Sequence, residues 1–207
     1  MPNEKSTKSA EIIEGAFAVL LREGLATLSY DRIASGANVS RQLVRYYFPE
    51  PDDLMLALAD RLAETYREAL TNGLAGISGP DRLKVFFDFY FDLLEGQAKP
   101  RDDQAYDALF SLAAGSAPIR DNLRGQYSLL GLTLTHEIRS CYPDIPMASC
   151  AEISYLFVTI MYGHWKMVAT LGLSEDHKHI ARRSIDRIIA SYRALPEPSN
   201  DQSAWKT

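Results

Sequence analysis

From Ser29 to Phe48 the chain reads SYDRIASGANVSRQLVRYYF, and this run restricts the fold more than any other. Ser29 is placed to cap a helix, and Asp31 falls in the first turn, where the helix dipole favours a carboxylate. Ile33, Ala34 and Ala37 make a narrow apolar face, small enough for another helix to come close. Asn38 stands at the bend, and asparagine tolerates left-handed backbone better than most side chains. Val39 can fill the corner. Ser40 then caps a second helix, Arg41 to Phe48, which Pro49 stops. Two short helices joined in this way make a helix-turn-helix, whose second helix lies in the DNA major groove.

The second helix has the chemistry of a groove reader. Between Asn38 and Pro49 there are two arginines, Arg41 and Arg45, and no acid. Four residues apart, they share a face, with Gln42 and Tyr46 as a second pair beside them. Arginine can fork onto guanine O6 and N7, and glutamine can pair with adenine N6 and N7. Leu43, Val44, Tyr47 and Phe48 supply the apolar side. Two arginines and a glutamine alone would describe an ordinary polar helix face. The caps, the turn and the helix before them favour DNA.

Charge limits how that reading can work. The net charge is -5. Residues 1–50 hold six Lys and Arg against six Asp and Glu, so the excess of acid belongs wholly to the remainder. An acidic body behind a neutral head limits non-specific DNA binding. Two cysteines, Cys141 and Cys150, make no disulfide framework. The N-terminus lacks an apolar signal core, and no apolar run reaches membrane-spanning length, so a cytoplasmic protein without membrane contact is expected.

Ahead of the motif, Ser9–Glu23 has Ile13, Phe17, Leu20 and Leu21 on one helical stripe, with Gly24 at its end. Residues 1–8 are polar. Lys5 and Lys8 belong either to a mobile end or to an arm that touches phosphates.

Ile12-Ile13, Ala16-Phe17, Gly24, Leu28-Ser29, Ile33-Ala34, Ala37, Val39-Ser40 and Phe48 stand in an order and spacing that resemble the TetR family of bacterial transcriptional regulators. The resemblance covers about the first quarter of the chain. It implies a three-helix DNA-binding head and an all-helical regulatory body that dimerises. Three positions depart from the family pattern. Asn38 replaces the usual glycine, and Arg45 the usual tyrosine, with Tyr46 just after it. Pro51 replaces a phosphate-contacting lysine at the start of the fourth helix; proline suits the first helical position but cannot neutralise a phosphate.

Beyond the motif the chain reads as helices with short breaks: Pro51 to about Asn72, Leu83–Glu95, Gln104–Ala114, Ala117 through Arg139, Ala148–Leu171 and His177–Ala194. In the family the fourth helix joins head to body, and its tilt sets the spacing of two heads. The tail after Pro196 is polar and reads as loose. The expected fold is therefore all-α: a helix-turn-helix head over 1–50, a helical ligand-binding and dimerisation body over 51–196, and a polar tail over 197–207.

Aromatic residues on successive helices could line a pocket for an apolar or aromatic small molecule, or could simply fill the core. Tyr90, Tyr106, Phe110, Tyr127, His136, Tyr162, His164 and Trp165 are the candidates, most of them joining a polar handle to an apolar side chain. The resemblance assigns the homodimer interface to the last two helices. Leu156, Ile160, Gly163, Met167 and Leu171 can form one stripe there, and Ile180, Ser184, Ile188 and Tyr192 another.

Enzyme chemistry has no motif. His177 and His179 lie on different sides of a helix, and His136-Glu137 is not in a HExxH frame. No cofactor or metal is implied. The functional expectation is a ligand-responsive regulator, most simply a repressor, acting as a homodimer on a palindromic operator. Its DNA contacts would be Arg41, Gln42 and Arg45, supported by Tyr46 and Tyr47, with Ser29, Tyr30 and Ser40 holding the backbone. The alternative is a helical small-molecule-binding or interaction protein that has lost DNA recognition.

Overall fold

The computed structural model describes residues 4–24, 28–77, 79–96, 102–194 and 204–205. In chain order the helices are α1 Glu4–Glu23, α2 Tyr30–Gly36, α3 Arg41–Tyr47, α4 Pro51–Leu74, α5 Pro80–Tyr90, α6 Asp103–Ala113, α7 Ala117–Cys141, α8 Met147–Leu171 and α9 Lys178–Ala194. A 3-10 turn, Glu175–His177, precedes α9. Each expected helix is present, with ends that differ where the determinant is not an apolar stripe. α1 begins at Glu4, so residues 4–8 are helical rather than a mobile end. α5 stops at Tyr90 instead of running to Glu95, because Asp92 takes a left-handed φ of 54°. The Leu93 N–H then turns back to the Asp88 carbonyl at 2.8 Å.

The chain divides into two compact units, one of residues up to Thr65 with Asp102–Arg124, the other of Tyr66–Arg101 with Gly125 onward. The first has an aliphatic core. Ile12, Ala16, Val44, Leu58, Ala59 and Leu62 are wholly buried, and Ala105, Leu109 and Ile119 join them from α6 and α7. Its helices come together where side chains are smallest. A Cβ on Gly15 would fall 2.5–2.6 Å from atoms of Ala37, and one on Gly36 2.8 Å from Val19 Cγ2. Only glycine allows those backbones to meet.

The second unit packs rings. Phe86, Phe87, Phe89, Phe91 and Phe157 are buried to within 2%. Phe157 lies 5.1 Å from the Phe87 ring and 5.8 Å from Tyr90, distances at which edge and tilted contacts are favourable. A buried ion pair ties α5 to α9, Arg182 Nε donating to Asp88 Oδ1 at 2.7 Å, while Arg182 Nη1 donates to the exposed Asp186 Oδ1 at 2.7 Å. Its guanidinium also lies 5.1 Å from the centre of the Phe87 ring. Burial disfavours the Arg182 charge, but Asp186 and Asp88 outweigh that and hold its pKa above the ordinary value.

The tail differs from expectation at one point. Trp205 packs against the second core instead of standing free. The rest of the tail, apart from Ala204, lies outside the described residues. Among the described residues, no helix is long and apolar enough to cross a membrane.

Candidate nucleic-acid interface

Local interactions hold α3 at both ends. At its start, Ser40 Oγ accepts from the Leu43 N–H at 3.1 Å, as a serine cap should. Ser29 does the same for α2, accepting from Arg32 N at 3.3 Å. Asn38 has φ 52°, the left-handed backbone its side chain tolerates, and the Val39 N–H donates to the Ala34 carbonyl at 2.9 Å. Val44 is fully buried and Phe48 nearly so, which fixes the inward face of α3. At its far end, the Tyr30 hydroxyl donates to the Phe48 carbonyl at 2.9 Å. Tyr30 thus fastens the exit of α3 to the entry of α2, while its ring lies 5.8 Å from the Arg45 guanidinium. That places Tyr30 in a positioning role, beside the serine caps.

The outward face of α3 carries Arg41, Gln42, Arg45 and Tyr46, all exposed. Tyr46 is 68% exposed, high for an aromatic, and its ring meets Tyr47 edge-on at 5.3 Å. Tyr47 is half-buried against the head core. These residues therefore share one solvent-facing surface.

Several head cations have an acid of the same chain beside them. Arg41 Nη1 is 3.2 Å from Asp31 Oδ2, Arg32 is 3.7 Å from Glu23, and Lys8 is 2.6 Å from Glu11. The Arg41–Asp31 pair is exposed on both sides, so it contributes little to stability. Its effect is electrostatic: one α3 arginine is partly neutralised where it stands. The Glu23 carboxyl is held below its usual pKa, first by its hydrogen bond from Arg22. Lys5 lies in α1, but its side chain falls outside what the structure describes. Pro51 starts α4, so proline stands at the family's lysine position, with Asp52 and Asp53 following in the first turn.

The aromatic candidates divide between the two units. Tyr106 and Phe110 pack against the head core. Tyr90 and Trp165 are buried in the second core, where Trp165 Nε1 donates to the Tyr90 carbonyl at 2.8 Å. Burial pushes the Tyr90 phenol well above its usual pKa. Tyr127 packs on the same core, and the His164 ring is 4.7 Å from Trp165. Tyr162 is half-buried, with Lys166 Nζ 5.8 Å from its ring centre. His136 is exposed on α7. Tyr106 and Phe110 thus belong to the first unit's core, and Tyr90, Tyr127 and Trp165 to the second's.

The α8 and α9 stripes fare differently. Met167, Leu171 and Ile180 are 51%, 66% and 59% exposed, and Met167 and Ile180 border an open apolar groove with Ile160, Gly163 and Ala181. Ile188 packs inward, and the Tyr192 hydroxyl donates to Glu152. Cys150 is buried, and burial pushes its thiol up to about 11; the Cys141 thiol is also raised, again by burial first. Neither favours the reactive thiolate. Among the described residues, no group of three or more His, Cys, Asp or Glu could hold a metal ion.

The sequence reading missed Gly15 and Gly36, which set the α1–α2 approach, and the Arg182 cluster. A glycine inside an amphipathic helix signals only weak propensity until its neighbour is known.

The family model described as "Bacterial regulatory proteins, tetR family" matches residues 12–58. A TetR transcription regulator from Haloarcula marismortui has a similar fold, with TM-score 0.78 and 21% identity over 90% of this chain and 98% of that one. A transcriptional regulator from Saccharomonospora viridis, in complex with choline, has TM-score 0.74 and 20% identity over 89% and 96%. A transcriptional regulator from Rhodococcus sp. Rha1 has TM-score 0.74 and 17% identity over 91% and 99%. Comparison with curated proteins finds no match.

Proposed function

We propose that this chain, whose residues 12–58 match the model of the tetR family of bacterial regulatory proteins, is a DNA-binding regulator of that type: a ligand-responsive repressor acting as a homodimer on a palindromic operator. The observation that carries this reading is the outer face of α3. Arg41, Gln42 and Arg45 project from a helix whose own sequence has no acid and whose ends are fixed by Ser40 and Tyr30. Two such helices related by a two-fold axis would meet major grooves about one helical turn, or a multiple of it, apart.

The apolar α8–α9 face supports dimerisation, since Met167, Leu171 and Ile180 leave a wide apolar patch in water in a single chain. Ligand control rests on the aromatic body and on the choline held by the Saccharomonospora protein of the same fold. To switch the protein, a ligand must prefer the form with the wrong head spacing.

Selection of bound fragments from a random DNA library should return a palindrome. Arg45→Ala should then weaken binding to that site by about 1–3 kcal/mol. Unchanged affinity in a fluorescence titration would remove Arg45 from the interface. The second reading, a helical binding protein without DNA recognition, is favoured by the Arg41–Asp31 pair and by Pro51. Its signature would be no DNA binding even at low salt, where phosphate contacts are strongest.

A further inference from the structure

Trp205 occupies a slot between α7 and α8. Its indole Nε1–H donates to Ser154 Oγ at 2.7 Å. Ser154 is fully buried, and its hydroxyl lies 2.8 Å from the Ala151 carbonyl and 2.9 Å from Thr135 Oγ1. Thr135, also buried, is 2.7 Å from the Gly131 carbonyl. The two hydroxyls therefore have acceptors for their protons, and whichever donates to the other, Ser154 Oγ keeps a lone pair for an N–H.

The slot is flat because of Gly131. It is buried, and a methyl group there would overlap the indole ring. Tyr155 closes another side, its ring meeting the indole edge-on at 5.7 Å. A planar space, aromatic contact on its wall and a buried hydroxyl at its end are the elements of a small aromatic recognition site. The occupant is only partly buried and is separated from α9 by residues 195–204. A partly buried anchor outside the helices releases at lower free energy than core elements.

We propose that the slot bounded by Gly131, Thr135, Ser154 and Tyr155 is a binding site for a planar aromatic molecule with an N–H donor, and that Trp205 is its tethered competitor. The tether gives Trp205 a high effective concentration, so a free ligand gains the slot only by exceeding it. Its use as an effector site rests on the ligand-responsive reading above; its binding chemistry does not.

Indole and 1-methylindole, which lacks the N–H, are the probes. By calorimetry, Trp205→Ala should bind indole at one site per chain with a Kd at least ten-fold below that of the unmodified protein. It should bind 1-methylindole at least ten-fold more weakly than indole. Equal binding by the two proteins, no binding to a folded Trp205→Ala, or equal binding of the two probes would overturn the proposal. If Trp205→Ala does not fold, the unmodified protein decides. In a 1H–15N spectrum, excess indole should move the Trp205 indole N–H signal and leave that of Trp165 in place; an unmoved Trp205 signal refutes the site. A DNA titration with and without indole separates the two ideas: absence of DNA binding sinks the regulator reading and leaves the slot standing.

Discussion

The head and the second unit solve the same packing problem with opposite materials. In the head, alanines and glycines let backbones touch, and α2 and α3 are fixed by short-range caps. In the second unit, α5 and its C-cap place five aromatic residues at 86, 87, 89, 90 and 91, and α8 answers with Phe157 and Trp165. The head is therefore sensitive to atoms added, and the second unit to atoms removed.

The largest effect tests removal. Phe157→Ala takes away a ring in contact with Phe86, Phe87, Tyr90 and Phe91. It should cost about 3–5 kcal/mol in urea unfolding. A loss near that of a surface change would break the contrast from the aromatic side.

Addition comes next. In an exposed helix, Gly→Ala stabilises by up to about 1 kcal/mol. Gly15→Ala should do the reverse, losing about 1–3 kcal/mol through overpacking against Ala37. The sign decides, and a more stable variant would mean the head is no tighter than an ordinary helix pair. A smaller effect is expected from Ser40→Ala, about 1 kcal/mol from the lost cap, with DNA affinity falling as α3 frays.

The smallest sharpens the contrast by pH. Burial raises the folded Cys150 thiol from 9.0 to about 11, so the native state holds that proton longer than the unfolded chain. Its contribution is fully present below pH 9 and is lost as pH rises through 11. Cys150→Ala should flatten that part of the alkaline stability profile, followed by near-UV circular dichroism.

The same contrast explains what was legible. α2 and α3 could be placed almost to the residue because Ser29, Asn38, Ser40 and Pro49 act through neighbours in sequence. Which way Tyr106 and Phe110 face could not, since spacing gives a stripe and not the partner that covers it; both pack in the head core. α5 carried apolar residues past its end, and a left-handed Asp92 stopped it without a glycine or proline to announce the turn. Lys178 Nζ donates to the Asp92 carbonyl at 3.0 Å, a contact made 86 residues away. Trp205 was visible as the one aromatic residue in a polar tail, but what received it was not. The DNA-facing residues remain the proposal made from their pattern; the structure adds the exposed face that Arg41, Gln42, Arg45 and Tyr46 share.

On the face proposed to read DNA, the Arg41–Asp31 pair gives one arginine a counterion of its own. When a phosphate approaches Arg41, it displaces a carboxylate fixed to the protein rather than arriving at a bare cation. Salt dependence counts the cations released from DNA as its phosphates are neutralised, and a carboxylate held beside Arg41 offsets part of that neutralisation. Operator binding by this head should therefore respond to ionic strength less steeply than its number of arginines would suggest.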